Sequence, residues 1–181
     1  MAPPVRIARE LWIDTALDLL ATEGPGAVRV EVLAQRLGVT RGGFYRQFAG
    51  RGELVDAMLD TWERRSIDDV RARVEAEGGD AASKARRAGM LTFSAELQPI
   101  DLAVREWARR DVEVAARLRR VDNRRMAYLR ELISTMSEDA GDVEARALLA
   151  FSLMIGDHLI AADLAGGRRR VLREATRLIL G

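Results

Sequence analysis

The stretch Arg29–Leu54, RVEVLAQRLGVTRGGFYRQFAGRGEL, decides the fold. Leu33 and Leu37 stand four apart, so they share one face of a helix that begins near Val30. Gly38 follows where the chain must turn left-handed, a conformation glycine adopts without steric penalty. Val39 is apolar in an otherwise polar turn and is expected to plug into a small core. Thr40 is a good N-cap for the next helix, because its hydroxyl can take a free backbone N–H. Phe44 and Phe48, again four apart, give this second helix its buried face. Arg41 and Tyr45 share a different face, with Gly42 and Arg46 beside them. A third helix is led by Arg51. A chain that lays one helix in the major groove of DNA is built this way.

Gly42 and Gly43 leave two readings open. Each costs about 1 kcal/mol relative to alanine within a helix, so something should offset them. One reading is close approach of backbone to a phosphate or base edge, at the helix end whose dipole favours an anion. The other is a tight helix–helix contact or a poorly formed helix start.

These residues resemble the TetR family of bacterial transcriptional repressors. Leu33-Ala34 matches the apolar-Ala pair of that family's second helix, and Gly38-Val39-Thr40 matches its turn. Phe44-Tyr45 with Phe48 matches its aromatic signature, while Trp12, Ala16, Leu19, Leu20 and Gly24 fit its first helix and closing glycine. The resemblance runs from Arg9 to Met58. It departs at Arg29, where a threonine is usual, at Gln47, where a histidine is usual, and at Gly50-Arg51-Gly52, which keeps only the positive charge of the common Ser-Lys-Glu.

The resemblance implies an all-α chain. Residues 1–52 would form a three-helix DNA-binding domain with a helix-turn-helix, and residues 53–181 a helical-bundle domain for ligand binding and dimerisation. The DNA-binding residues would be Arg29, Thr40, Arg41, Gly42, Gly43, Tyr45, Arg46 and Arg51. Thr40 and Tyr45 are expected on phosphates, Arg29 and Arg51 on flanking phosphates, and Arg41 or Arg46 on a guanine edge, which arginine bonds bidentately. The implied partners are double-stranded DNA, a second copy of the chain and a small-molecule effector. The dimer would be made by Val143–Leu164 and Arg168–Leu180, and Leu148, Phe151, Met154, Ile155, Leu159 and Ala162 should leave the first of these buried nearly all round.

Charge and composition agree with that expectation. The net charge is only +1, but from Arg29 to Arg51 five arginines face a single acidic residue, Glu31. Four prolines and abundant Ala, Leu, Arg and Glu favour helix over sheet. With no cysteine and one histidine, His158, the chain lacks the means for disulfides, thiolate or His-rich metal sites and cysteine nucleophiles. No catalytic residues, metal or cofactor are expected. No apolar run approaches the ~20 residues that span a bilayer and the opening carries no signal-peptide pattern, so a cytoplasmic protein without a membrane partner is expected. The competing reading is a helical dimer that uses the same scaffold to bind a protein or lipid.

Beyond Gly52 the spacing predicts consecutive helices. Leu54, Met58 and Trp62 form a stripe on a helix running to about Glu77, broken by Gly78-Gly79. A segment from about Ala81 to Leu97 should stop at Pro99, and a short helix should occupy Leu102–Arg109. Asp111 is a plausible cap for a helix to about Met136. An N-terminal arm of about five residues, including Pro3-Pro4, is expected to be mobile. Met90, Phe93, Trp107, Met126, Tyr128, Phe151 and Met154 are bulky, soft side chains that suit either an apolar ligand cavity or ordinary core. His158 reads as a core or interface group, and Arg168-Arg169-Arg170 as a solvated turn or a source of salt bridges.

Overall fold

The computed structural model describes residues 8–180, and the N-terminal arm with Pro3-Pro4 lies outside them. Among the described residues every regular element is helical: α1 (Arg9–Glu23), α2 (Val30–Arg36), α3 (Arg41–Tyr45), α4 (Arg51–Arg64), α5 (Val70–Glu77), α6 (Ala81–Thr92), α7 (Gln98–Ala108), α8 (Val112–Ile133), α9 (Ala140–Leu159) and α10 (Arg168–Leu180). They form two compact units. One holds the chain up to Ser66 together with Ala95–Arg119; the other holds Ile67–Ser94 and the chain from Arg120 onward.

The first unit is organised by α1. Trp12, Ala16, Leu17, Leu19 and Leu20 are all buried, and the helix packs against α2, α4 and α7. A single 3-10 turn at Pro25–Ala27 leads to Val28, which is 1% exposed and seals the space between that turn and α2. Gly38 has φ 65, where a side chain would be strained, and the reversal lets Val39 N–H reach the Ala34 carbonyl at 3.0 Å. Three details differ from the expectation. Leu37 sits at the C-cap of α2 and is only half-buried, as is Val39, while Leu33 and Ala34 do the burying. Thr40 occupies the N-cap of α3 but makes no side-chain capping bond. Pro99 does not stop a helix: it lies in the first turn of α7, where its missing N–H would have been unsatisfied anyway.

The helix expected from Gly52 to Glu77 is helical throughout but not uniform, because Arg65–Asp69 form a π-helical turn between α4 and α5. The sequence supplies the reason. Leu54, Met58, Trp62, Ser66, Val70 and Val74 are all buried and recur every four residues. In an ideal α-helix such a stripe drifts by about 40° per step. A π turn takes up an extra residue and turns the stripe back toward one face.

Arg117, on the first turns of α8, is clasped by carboxylates from α4. It bonds Glu63 at 2.9 Å and Asp56 at 3.2 Å, and also Asp60. These bonds outweigh the opposing effect of burial, and the guanidinium is held above its ordinary pKa.

In the second unit α5 packs on α6, and α9 on α10. Asp80 caps α6 through Ser83 N–H at 2.7 Å, and Asp139 caps α9 through Gly141 N–H at 2.7 Å and Asp142 N–H at 3.1 Å. Asp111 caps α8 as expected, accepting from the backbone of Glu113 and Val114. The helix expected to reach Leu164 ends at Leu159. Its terminal carbonyls explain why: the Arg168 guanidinium collects Asp157 O and, at 2.6 Å, Ile160 O, together with the Asp157 carboxylate. Arg168 is thus a helix-end clamp. Helix α9 is not buried nearly all round within one chain, since Leu148 is 56% and Leu159 67% exposed. Tyr128 donates to Glu75 at 2.6 Å, and Lys84 also bonds that carboxylate. Lys84 first and Tyr128 second hold the Glu75 carboxyl below its ordinary pKa, so the stability this group adds is present above that value and lost as pH falls through the depressed one.

Candidate nucleic-acid interface

Helix α3 has five residues, too few to hold together alone. Phe44 anchors it. The ring is fully buried, stacked on Phe48 at 5.1 Å and met edge-on by Trp12 at 5.5 Å and Tyr45 at 5.3 Å. Arg9 lies over the outer side of Phe48 at 4.1 Å and bonds the Gln47 carbonyl and Glu53, tying the start of α1 to the loop after α3. Glu53 also accepts Ala49 N–H at 2.7 Å, and that bond, ahead of Arg9, holds its carboxyl below the ordinary pKa.

With one face so fixed, the other points outward. Thr40, Arg41, Gly42, Tyr45 and Arg46 are exposed, as are Arg29 at the start of α2 and Arg51 at the start of α4; Gly43 is half-buried. Tyr45 is 60% exposed, although its ring edge rests on Phe44. The side chains of Arg29, Thr40, Tyr45 and Arg46 have no hydrogen-bond partner among the described residues. Two of the arginines are engaged. Arg41 Nη1 lies 3.3 Å from Glu31 Oε1, and Arg51 donates from Nε to Val28 O at 2.6 Å and from Nη2 to Pro25 O at 3.1 Å. Arg51 therefore also staples α4 to the turn before α2, which its position at a helix start did not reveal. Glu31 is held below its ordinary pKa chiefly by its own backbone N–H and next by Arg41.

The adjacent glycines face different ways. A Cβ at Gly43 would point inward and meet Trp12 Cζ2 at 3.6 Å and Val39 Cγ2 at 3.9 Å, ordinary contact that a methyl could make against α1. A Cβ at Gly42 would meet only Thr40 Oγ1 at 3.6 Å, so nothing inside the protein requires its absence. Gly42→Ala should stabilise the start of α3 by up to about 1 kcal/mol and raise Tm by roughly 2–4 °C. If the outer face approaches a duplex closely, the same methyl should weaken duplex binding about tenfold, a split that melting and gel-shift titration resolve.

The residues that build this head are those of a described protein family. Residues 13–58 match the family model for bacterial regulatory proteins, tetR family. Over that segment the chain is similar to tetR-family regulators. Its fold also matches solved structures over nearly the whole chain. The TetR-family regulator PfmR from Thermus thermophilus aligns with TM-score 0.68 at 20% identity, covering 97% of each chain. A transcriptional regulator from Saccharomonospora viridis, solved with choline, aligns with TM-score 0.74 at 17% identity, covering 94% of this chain and 92% of that one. AibR, solved with isovaleryl coenzyme A and operator DNA, aligns with TM-score 0.69 at 15% identity, covering 95% and 97%. No curated protein matches the sequence.

The side chains that suit an effector cavity fall unevenly over the two units. Phe93, Met126, Tyr128, Phe151 and Met154 all belong to the second unit, and Trp107 to the first. Met90 is on α6 but 64% exposed. Phe93 is buried, with the His158 ring 5.5 Å away and the Arg125 guanidinium 6.0 Å from its centroid. Met154 reaches α6 because Gly89 makes room: a Cβ there would be 3.3 Å from its thioether. Neither Gly89 nor Arg125, a guanidinium only 6% exposed, stood out in the sequence. Among the described residues no cluster of His, Asp or Glu is placed to hold a metal, and no helix is long and apolar enough to cross a membrane.

Proposed function

We propose that this protein is a TetR-type cytoplasmic repressor that binds a pseudo-palindromic operator as a homodimer and is released by a small-molecule ligand. In this reading residues 1–52 contact DNA, and residues 53–181 bind the effector and dimerise. The observation that carries it is the outer face of α3: its inner face is locked by Phe44, and Thr40, Tyr45 and Arg46 stand exposed beside it without an internal partner. Thr40 and Tyr45 then bond phosphates, Arg29 and Arg51 hold the flanking backbone, and Arg41 or Arg46 reads a base edge, with Gly42 on the outer side allowing close approach.

Dimerisation is supported by apolar side chains left uncovered on α9 and α10 and after them: Leu148 56%, Leu149 55%, Leu159 67%, Ile160 52% and Leu178 78% exposed. Light scattering should give twice the chain mass of 20.1 kDa, and Leu148→Glu with Leu178→Glu should return the single-chain mass. A persistent dimer in that variant would place the contact elsewhere. Two heads related by a twofold axis then address two half-sites.

Support for the effector comes from Phe93, Met126, Phe151 and Met154, bulky side chains of the second unit that suit an apolar lining, and from the ligands of the two complexed relatives, one with choline and one with isovaleryl coenzyme A. A ligand acts by binding better to a state with wrongly spaced heads, and it lowers operator affinity by that difference alone.

The test is selection of bound sequences from random duplex, followed by gel-shift titration across salt. Affinity for the selected site should fall steeply between 50 and 200 mM salt, by roughly 10³ or more. Arg46→Ala should weaken it about tenfold. Salt-independent or absent duplex affinity would instead favour a scaffold that binds a protein or lipid.

A further inference from the structure

The one acidic residue between Arg29 and Arg51 is Glu31, and it is bonded to a reading-face arginine. An acid on a surface meant for a polyanion calls for a reason. Its place in the first turn of α2 suits the helix dipole, but Glu31 and Arg41 also meet across the turn, at 3.3 Å, from two different helices.

In the free protein this contact holds little. Both side chains are about two-thirds exposed, 66% for Arg41 and 63% for Glu31. An ion pair so placed changes an equilibrium by no more than about fivefold. Water leaves when the face docks, and the same charges then interact several times more strongly. At that moment Arg41 has two destinations. It can turn to a phosphate, which every sequence offers, or stay with Glu31 and present its remaining N–H donors in one direction. A guanidinium already paired with a carboxylate attracts phosphate weakly. Its free edge still matches the two acceptors of guanine.

We propose that Glu31 is a specificity-determining residue that holds Arg41 off the phosphates and aims it at one base edge in the operator. The proposal rests on the DNA-binding reading above. Arg29, the other cation acting on Glu31, does so through charge alone, whereas Arg41 also bonds it. Glu31 acts through Arg41, so it is a positioning residue.

Sequence selection from random duplex by the full-length protein tests it, using wild type, Glu31→Ala, Glu31→Gln, Arg41→Ala and the double variant. Glu31→Ala should relax the preference at one position in each half-site, by about tenfold in relative affinity, and Arg41→Ala should relax that same position. The double variant should add nothing further. Glu31→Ala should also bind random duplex more tightly, with a salt dependence steeper by about 0.9 per head as the released Arg41 finds a phosphate. Glu31→Gln, which keeps an acceptor oxygen but no charge, should retain part of the preference. An unchanged preference in Glu31→Ala, a relaxed position different from that of Arg41→Ala, or an equal loss on all sequences would overturn the proposal; the last would mark Glu31 as a purely structural helix-start residue. Failure of wild type itself to enrich any sequence would overturn the DNA-binding reading and this proposal together. It is told apart because it appears before any substitution is made.

Discussion

Phe44→Ala should destabilise the first unit by about 3–5 kcal/mol and abolish duplex binding with it. The ring is fully buried and touches Trp12, Tyr45 and Phe48, so truncation opens a cavity in the middle of an aromatic cluster. The effect is at the high end because α3 has no reserve. It is five residues long and contains two glycines, and tertiary burial of Phe44 is what makes it a helix at all. Denaturant unfolding followed by tryptophan fluorescence reads this directly, since Trp12 lies against Phe44 at 5.5 Å. Phe44→Leu, which keeps most of the volume, should cost about 1–1.5 kcal/mol and leave duplex binding measurable. A loss below about 1 kcal/mol in the alanine variant would mean that α3 is held by something other than its aromatic face. The contrast with Gly42→Ala is the informative pair. One removes the inner anchor and loses stability and binding together; the other adds a methyl outside and moves them in opposite directions.

What the sequence disclosed was local. Leu33, and Phe44 with Phe48, are buried where their spacing placed them, because one face of a short helix must be apolar wherever it packs; Ala34 and the α1 residues Trp12, Ala16, Leu19 and Leu20, which the family resemblance singled out, are buried too. Gly38 was legible for a similar reason: a left-handed turn between two close helices has few residues to choose from. The outward set on α3 followed by subtraction.

Whatever depends on a partner distant in the chain was not legible. Ile100 and Val104 announce an apolar face on α7, but nothing in their spacing says that α1 covers it. Arg51 reads only as a phosphate contact until the Val28 and Pro25 carbonyls beside it show that it also holds α4 to the preceding turn, and α9 stops short at Leu159 because Arg168, from a later turn, takes its carbonyls. Pro99 shows the ambiguity of a single residue, since the same ring that ends one helix can begin the next. The π turn at Arg65–Asp69 stands between these cases. Its cause, a buried stripe at a strict spacing of four, is written in the sequence from Leu54 to Val74, well beyond the Leu54, Met58 and Trp62 that mark the helix.

Arg117→Ala should be a costly charge deletion in the first unit, at about 2–3 kcal/mol. The side chain is 19% exposed and Glu63, its closest buried partner, 18%, so this pair sits in a medium where charge is poorly solvated. Asp56 and Asp60 are 69% and 68% exposed and contribute less through direct pairing. Removing the arginine does more than delete those bonds. It leaves Asp56 and Asp60 on one face of α4 without the cation between them, and their mutual repulsion adds to the loss. That repulsion gives the prediction its check. In a background already carrying Asp56→Ala and Asp60→Ala, Arg117→Ala should cost roughly half as much, and high salt should recover part of the loss only where the two aspartates remain. Arg117→Lys should fall in between, since an ammonium keeps the charge but not the fork that reaches three acceptors. Because α4 leads directly out of the DNA-binding head, the same variants should weaken duplex binding while leaving sequence preference unchanged. A shifted preference would mean that the clasp reaches the reading face itself.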